Sequence, residues 1–409
     1  MKEIVSKLDE EAGKCIRCGF CEAVCPTLQA KDYSLYYGAR GRVILANELL
    51  EMLKRKGSGI GLNVGNAFYS CLECSLCHEM CPADVNAGNV SNIAKQLIVA
   101  NENIFESSQI VPAAKLLSNT IMKYKNPLGL RSEIAEWSKA LTFNQNSDTV
   151  LLTGHMYQIM AYTQHLIEFF QKTGRYGNVL LKISGRVPGI VRFSKYFVDG
   201  ELKKRLDGCI KNVAVLLKKA GIEFSYFENE PYPGTLLYEL GYIPEFVEYA
   251  SQVGEWLKSK NIKRIIVIDP HTYHILDSIY REHIKFDFEV VHYLDLLSKL
   301  EFKERDEVIT YHEPCIFTRK KEYYLPREIL ESIAEVKYPV NSGRNSVCCG
   351  GPVESLFPEI TESVSDRRYK ELKDTGARKI ITACPVCFLN LHKQNKIIDI
   401  SEFLIANLA

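Results

Sequence analysis

Apolar positions recur at helical spacing through the first third of the chain and give way to short continuous runs after about residue 148. Gly41-Arg-Val-Ile-Leu-Ala-Asn-Glu-Leu-Leu-Glu-Met-Leu53 places its apolar residues on one face of a helix. We read helix over Asp32 to Ala67, with Gly57-Ser-Gly59 ending the long element. Asn86 to Ala100 predicts a further helix, and the charged segment Met1 to Glu11 also has helical character. Ile110 to Leu141 is helical but interrupted by Lys125-Asn-Pro-Leu-Gly129, so it reads as a linker packed between domains. Trp137, within it, reads as buried core rather than a cofactor contact.

From Asp148 the pattern changes. Thr149-Val-Leu-Leu-Thr153, Ile222-Glu-Phe-Ser-Tyr-Phe227, Arg264-Ile-Ile-Val-Ile-Asp269 and Phe288-Glu-Val-Val291 are β-rich runs set between helical segments. Val308-Ile-Thr-Tyr311 and Lys379-Ile-Ile-Thr-Ala383 repeat the theme. Continuous apolar strands alternating with helices predict α/β units with parallel strands. The half also repeats internally. Lys263-Arg-Ile-Ile-Val-Ile-Asp-Pro-His-Thr-Tyr273 aligns with Arg378-Lys-Ile-Ile-Thr-Ala-Cys-Pro-Val-Cys-Phe388, and Asn229-Glu-Pro-Tyr-Pro-Gly234 aligns with Asn345-Ser-Val-Cys-Cys-Gly350. Gly154-His155 falls near the place of His312-Glu-Pro-Cys315. The first copy thus carries His155, Tyr232, Pro233, Asp269 and Thr272 where the second carries Cys315, Cys348, Cys349, Cys384 and Cys387. Roughly 44 extra residues sit between about His165 and Asp207 in the first copy, an estimate from the repeat. They include Val187-Pro-Gly-Ile-Val-Arg-Phe-Ser-Lys-Tyr-Phe197, which reads either as a partner- or membrane-docking element or as a plain structural excursion.

The organisation predicted is α+β and multidomain. Residues 1–105 form an all-α domain, 106–148 a helical linker, 149–300 a thiol-free α/β domain with an insertion at about 165–207, and 301–409 a cysteine-bearing α/β domain. Composition adds exclusions. The 409 residues carry 51 Lys+Arg against 50 Asp+Glu, a net charge of +1, so no basic field argues for nucleic acid. No long uncharged apolar run suggests a bilayer span, and the N-terminus lacks the apolar core of a signal peptide. The expected location is cytoplasmic, with peripheral association at the inner membrane face as the variant.

The 14 cysteines carry the chemistry. Cys15-Ile-Arg-Cys18-Gly-Phe-Cys21-Glu-Ala-Val-Cys25-Pro26 returns as Cys71-Leu-Glu-Cys74-Ser-Leu-Cys77-His-Glu-Met-Cys81-Pro82. Each reads C-x2-C-x2-C-x3-C-P, the ferredoxin run for a [4Fe–4S] cluster, in which the fourth cysteine ligates the other cluster. We therefore expect one cluster on Cys15, Cys18, Cys21 and Cys81, and a second on Cys71, Cys74, Cys77 and Cys25. The helical connection between the runs points to an all-α ferredoxin domain. Zinc sites more often come as separated pairs. Arg40 and Arg42 read either as a solvated turn or as charge balance near a cluster. Cys209 lies in a helical apolar pattern and reads as core.

The third set is Cys315, Cys348-Cys349-Gly350-Gly351 and Cys384-Pro-Val-Cys387. Adjacent cysteines diverge from an extended backbone, which suits different irons of a larger cluster, and the two glycines allow close backbone approach. His312-Glu-Pro-Cys315, Cys348-Cys-Gly-Gly351 and Ala383-Cys-Pro-Val-Cys387 give the chain a resemblance to CCG-domain (cysteine-rich) iron–sulfur proteins. These include the heterodisulfide reductase D-type polypeptide and the iron–sulfur subunits of glycolate oxidase, lactate-utilisation and anaerobic glycerol-3-phosphate dehydrogenase complexes. The resemblance implies a helical ferredoxin domain followed by two tandem CCG domains, the first degenerate. It also implies that Cys315, Cys348, Cys349, Cys384 and Cys387 hold a noncubane [4Fe–4S] cluster. Zinc on four of these thiols is the other reading. The loss of thiols from the first copy departs from a reductase with two noncubane clusters.

Two functions follow as expectations. One is an electron-transfer subunit fed by a flavin-containing dehydrogenase or electron-transfer flavoprotein, passing electrons on to a quinone, a membrane subunit or another acceptor. The other is a thiol–disulfide reductase with the C-terminal cluster as its site and His312 as proton donor or structural hydrogen-bond partner. No G-x-G-x-x-G fingerprint follows a strand, so a flavin or nucleotide is expected on a partner instead.

Overall fold

The computed structural model describes residues 1–54, 64–101, 110–130, 132–139, 141–163, 188–392 and 396–409. Gly57-Ser-Gly59 and the whole 165–187 part of the expected insertion lie outside them.

The N-terminal third is all helical: α1 (Lys2–Gly13), α2 (Phe20–Val24), α3 (Pro26–Ala30), α4 (Ala39–Lys54), α5 (Val64–Tyr69), α6 (Leu76–Glu79) and α7 (Ala87–Ala100). Helices α1, α4 and α7 pack on one another through Leu8, Ala12, Val43, Ala46, Leu50, Val90, Ala94 and Leu97, all buried. The short helices grow from the cysteine runs. Pro26 opens α3 at its first turn, where its missing N–H costs nothing. Asn86 caps α7 by accepting from the backbone N–H groups of Gly88 and Asn89. Arg40 and Arg42 lie in the first turn of α4.

Two parallel sheets follow. The first has the order β1 (Thr149–Leu152), β2 (Arg264–Val267), β3 (Glu289–His292). The second runs β5 (Glu335–Val336), β4 (Val308–His312), β6 (Lys379–Thr382), β7 (Ile397–Asp399). The expected strand at Ile222–Phe227 is reduced to a single parallel bridge, Val150 with Ser225, on the outer side of β1. That bridge sits where β5 sits beside β4, so both sheets follow one plan. The registers agree as well. Thr149 pairs Arg264 and Ile309 pairs Lys379. Carried along the strands, His155 occupies the place of Cys315, Asp269 that of Cys384, and Thr272 that of Cys387. Strands β5 and β7 are too short and too weakly patterned to be read from sequence.

Trp137 is fully buried and donates its indole N–H to the Tyr226 hydroxyl at 3.2 Å. Cys209 is buried on the helix Gly200–Lys219. That helix is capped by Asp199, so the insertion's C-terminal boundary at Asp207 falls inside a continuous helix. Of the insertion's mixed aromatic and cationic stretch, the described part is the turn Pro188–Phe197, with Phe193 and Tyr196 exposed. No helix among the described residues is long and apolar enough to cross a membrane.

The three parts share walls. Arg344 pairs with Glu79, and Lys31 pairs with Glu359, joining the helical domain to the second α/β unit. Lys95 donates to the Glu239 carbonyl and Tyr69 to the Leu240 carbonyl, joining it to the first. Arg205 pairs with Glu402, and Tyr157 donates to Asp399 at 2.7 Å, joining the two α/β units.

Candidate metal centres

The two cysteine runs fold into loops of the same shape. Arg17 and Gly19 flank Cys18 with φ of 62° and 86°, and Glu73 and Ser75 flank Cys74 with φ of 46° and 58°. A left-handed residue on each side of the middle cysteine curls the loop, so three thiols converge. Gly19 adopts this freely; Ser75 is the strained counterpart. Cys15, Cys18, Cys21 and Cys81 line one cavity with Arg40. Cys25, Cys71, Cys74 and Cys77 line a second with Arg42. Each cavity therefore takes its fourth thiol from the other run. Ala87, at the start of α7, lines both.

The arginines differ. Arg40 is partly exposed; it bridges the Glu22 carboxylate at 3.0 Å and the Arg17 carbonyl at 3.3 Å. Arg42 is 1% exposed, which excludes the solvated-turn reading for it. It donates to the Ala67 carbonyl (2.6 Å), Thr27 Oγ1 (2.9 Å), Ser70 Oγ (3.0 Å) and Cys25 Sγ (3.8 Å). None of these partners is a carboxylate. A buried guanidinium needs an anion, and a thiolate-ligated cluster in the cavity beside it fits that need.

The third set is assembled at the ends of β4 and β6. Cys348, Cys349, Cys384 and Cys387 are buried, and Cys315 is partly exposed. Cys315 neighbours Cys348, Cys348 neighbours Cys349, Cys349 neighbours Cys387 and Cys387 neighbours Cys384, so all five thiols are contiguous. The glycines are required. Gly350 has φ of 89°, and a Cβ on Gly351 would lie 2.1 Å from Val386 Cγ1.

His312 is fully buried beside them, its nitrogen within 4.8 Å of Cys349 Sγ and Cys387 Sγ. Its Nδ1 accepts from Arg368 Nε at 3.1 Å. The neutral ring's proton must then sit on Nε2, which is buried with no hydrogen-bond partner among the described residues. Burial, then Arg368, holds the imidazole well below its ordinary pKa.

Sequence reasoning missed Arg319. Buried in the turn after Cys315, it donates to the Cys74 carbonyl (2.5 Å) and to the carbonyls of Arg344 (2.8 Å) and Ser346 (2.7 Å). It ties the second cavity's loop to the third cysteine set. The only signal was its place one turn beyond Cys315. Cys71 and Cys315 line a further cavity together with His271, Glu239, Lys95 and Lys320.

The thiol-free counterpart is also assembled. His155 Nε2 lies 3.8 Å from Glu230 Oε1, and a Cβ on Gly154 would lie 3.1 Å from Asp269 Oδ2. His155 and Asp269 do not hydrogen-bond to each other. Asp269 Oδ1 caps the next helix by accepting from the backbone N–H groups of His271 and Thr272, while neither His155 nitrogen has a hydrogen-bond partner among the described residues. Glu230, unremarked in the sequence, is the acid nearest His155; burial pushes its pKa up to about 8 and that of His155 down to about 4. A carboxyl with a raised folded pKa binds a proton that the unfolded chain releases above pH 4.5, so its contribution to stability falls between pH 4.5 and about 8. Glu230→Gln is expected to stabilise the protein by roughly 2–4 kcal/mol at pH 8 and by little at pH 5. Urea unfolding at the two pH values checks this.

Two domain families match. Residues 11–85 match a 4Fe-4S dicluster domain, and residues 309–392 match a cysteine-rich domain. The chain is 24% identical over 382 residues to an uncharacterised iron–sulfur protein of Methanococcus maripaludis, covering 91% of this chain and 66% of that one. It is 22% identical to an EtfAB:quinone oxidoreductase of Syntrophomonas wolfei, covering 95% of this chain and 57% of that one. It is 30% identical to the D-type polypeptide of a dihydromethanophenazine:CoB–CoM heterodisulfide reductase of Methanosarcina acetivorans, covering 43% of this chain and 47% of that one. The chain thus spans about half to two thirds of the length of these relatives. It is related to iron–sulfur subunits of oxidoreductases, as the cysteine patterns indicated.

Proposed function

We propose, from the premise that this is an iron–sulfur protein with a dicluster and a cysteine-rich domain, that it is the electron-relay subunit of an oxidoreductase complex. The observation that carries the reading is the serial order of its thiols. The first quartet lies outermost, with Cys18 exposed; Ala87 divides it from the second; Arg319 and Cys71 join the second to the buried third set. Iron–sulfur clusters, when bound, take and release one electron at a time. The residues do the rest. Arg42 balances charge at the inner quartet, and Arg319 fixes its distance from Cys315. Ile16 (66% exposed) and Phe20 (59% exposed) flank Cys18 and offer an apolar rim for a flavoprotein partner. The electron-transfer flavoprotein named in one relative suits that rim; a quinone, a membrane subunit or a disulfide suits the other end. The first α/β unit is, on this reading, a degenerate cysteine-rich domain that keeps the plan without the metal.

A second reading, thiol–disulfide reductase, is favoured by the cavity that Cys315 lines with Lys95, Lys320 and His271. Cleaving a disulfide there consumes two electrons and two protons and yields two thiols. Anaerobic protein is expected to carry about twelve irons, four per cluster, and to accept electrons from a reduced flavoprotein. Reduced viologen cleaving small disulfides on the isolated chain would favour the second reading. About eight irons with one zinc would leave two cubes and no third cluster.

A further inference from the structure

The first α/β unit has no thiols at its own site, yet it reaches into its neighbour's. His271 stands between the positions corresponding to Cys384 and Cys387, at the place of Val386. Asp269 Oδ1 accepts from its backbone N–H at 2.9 Å and from that of Thr272 at 3.0 Å, which locks the turn. The ring is buried. Its Nδ1 faces Glu239 Oε1 at 3.7 Å, and the ring also lies beside the Cys384 thiol of the second unit, close enough for the two side chains to interact. Glu239 comes from the short helix Thr235–Glu239, whose end is held by Lys95 donating to the Glu239 carbonyl at 3.0 Å. Helical domain, first unit and second unit thus meet around one imidazole.

The arrangement is one-sided. Val386 has no donor and packs against Gly351, so the second unit returns no such contact. A thiolate that accepts a hydrogen bond holds less charge on its sulfur, which favours the reduced, more negative state of metal bound to it.

We infer that His271 is a positioning residue of the third cysteine site: it donates a hydrogen bond to Cys384 and raises the reduction potential of the centre held there. The inference rests on the reading that this site binds iron and sulfide. It gives the thiol-free unit a task beyond scaffolding, because the unit tunes a centre it does not ligate.

The test is an EPR-monitored redox titration of the anaerobic full chain, with metal analysis first. In His271→Leu the third centre is expected to become at least tenfold harder to reduce, about 59 mV lower for one electron. The two cube potentials stay in place, and the exchangeable-proton coupling of the third centre, compared in H2O and D2O, is lost. His271→Gln, which keeps a donor, returns the potential most of the way. His155→Gln, in the same unit but away from Cys384, leaves it unchanged. A third-centre potential unmoved in His271→Leu overturns the inference, as does an equal shift of all three centres. If His271→Leu fails to load the site, His271→Gln must restore loading, and failure to do so overturns it too. Zinc in the unaltered chain sinks the iron reading and not the hydrogen bond. The site is then loaded with Co2+: a thiolate-to-metal charge-transfer band that moves in His271→Leu supports the contact, and an unmoved band overturns it.

Discussion

Arg42→Leu is expected to empty the inner quartet while leaving the outer one filled. The guanidinium satisfies the Ala67 carbonyl, Thr27 and Ser70 and lies 3.8 Å from Cys25 Sγ, all inside the helical core. Leucine fills part of the volume, but it leaves Thr27 Oγ1 and Ser70 Oγ without the guanidinium donor, the Ala67 carbonyl with the Ser70 hydroxyl alone, and the second quartet without its cation. Removing one partner from a buried charge pair costs about 3–5 kcal/mol. That sum is comparable to the whole stability of a small domain. Iron is expected to fall by about four atoms, one cluster's content, and reduction of the third centre through the outer quartet should stop. Arg42→Lys keeps the charge but cannot make the same fork of bonds, so it should load partially. Arg40→Leu is the contrast. Its pair with Glu22 is partly solvated, and such pairs are worth no more than about 1 kcal/mol. Iron analysis and EPR on the three variants check the order Arg42→Leu, Arg42→Lys, Arg40→Leu. Equal iron in all three would refute the charge-balance role.

Much of this site was legible because cysteine spacing is a local signal. The cross-exchange of Cys25 and Cys81 between cavities follows from two matched runs, and the structure adds only that left-handed residues on both sides of Cys18 and Cys74 curl the loops. The internal repeat was legible for a related reason: the strands β2 and β6 share an apolar run followed by a helix-opening proline. What was not legible is long-range. Arg319 reaches the Cys74 carbonyl across 245 residues of sequence, and no pattern near either end announces it. His271 looked like part of a decayed motif until the packing of two units brought it to Cys384. For Arg42 the sequence left a solvated turn and charge balance near a cluster both open, and only its burial among Ala67, Thr27, Ser70 and Cys25 decides for the second. Strand β5 is only two residues long, and Ser225 keeps a bridge where a strand was expected; both are set by the neighbouring strand more than by their own residues.

Cys349→Ala is expected to remove the third centre and nothing else. Cys349 lies in the middle of the five contiguous thiols, in contact with Cys348 on one side and Cys387 on the other, and its Sγ lies 3.4 Å from the Cβ position of Gly351. It lines neither the Cys15–Cys18–Cys21–Cys81 cavity nor the Cys25–Cys71–Cys74–Cys77 cavity, so both quartets should keep their iron. The expected iron content drops from about twelve to about eight, at four per cluster, and the two cube signals survive in EPR. Electron delivery to the terminal acceptor, or disulfide cleavage on the second reading, is lost because the chain of centres now ends at the Arg319 contact. Cys209→Ala separates this from the general cost of deleting a buried thiol. Cys209 is 1% exposed and lies on a helix away from all three sets, so its loss should lower stability by about 1–2 kcal/mol, in the range of a small core truncation, while iron and transfer stay whole. A Cys349→Ala protein that retains a third signal would show that the adjacent cysteine pair does not share one cluster.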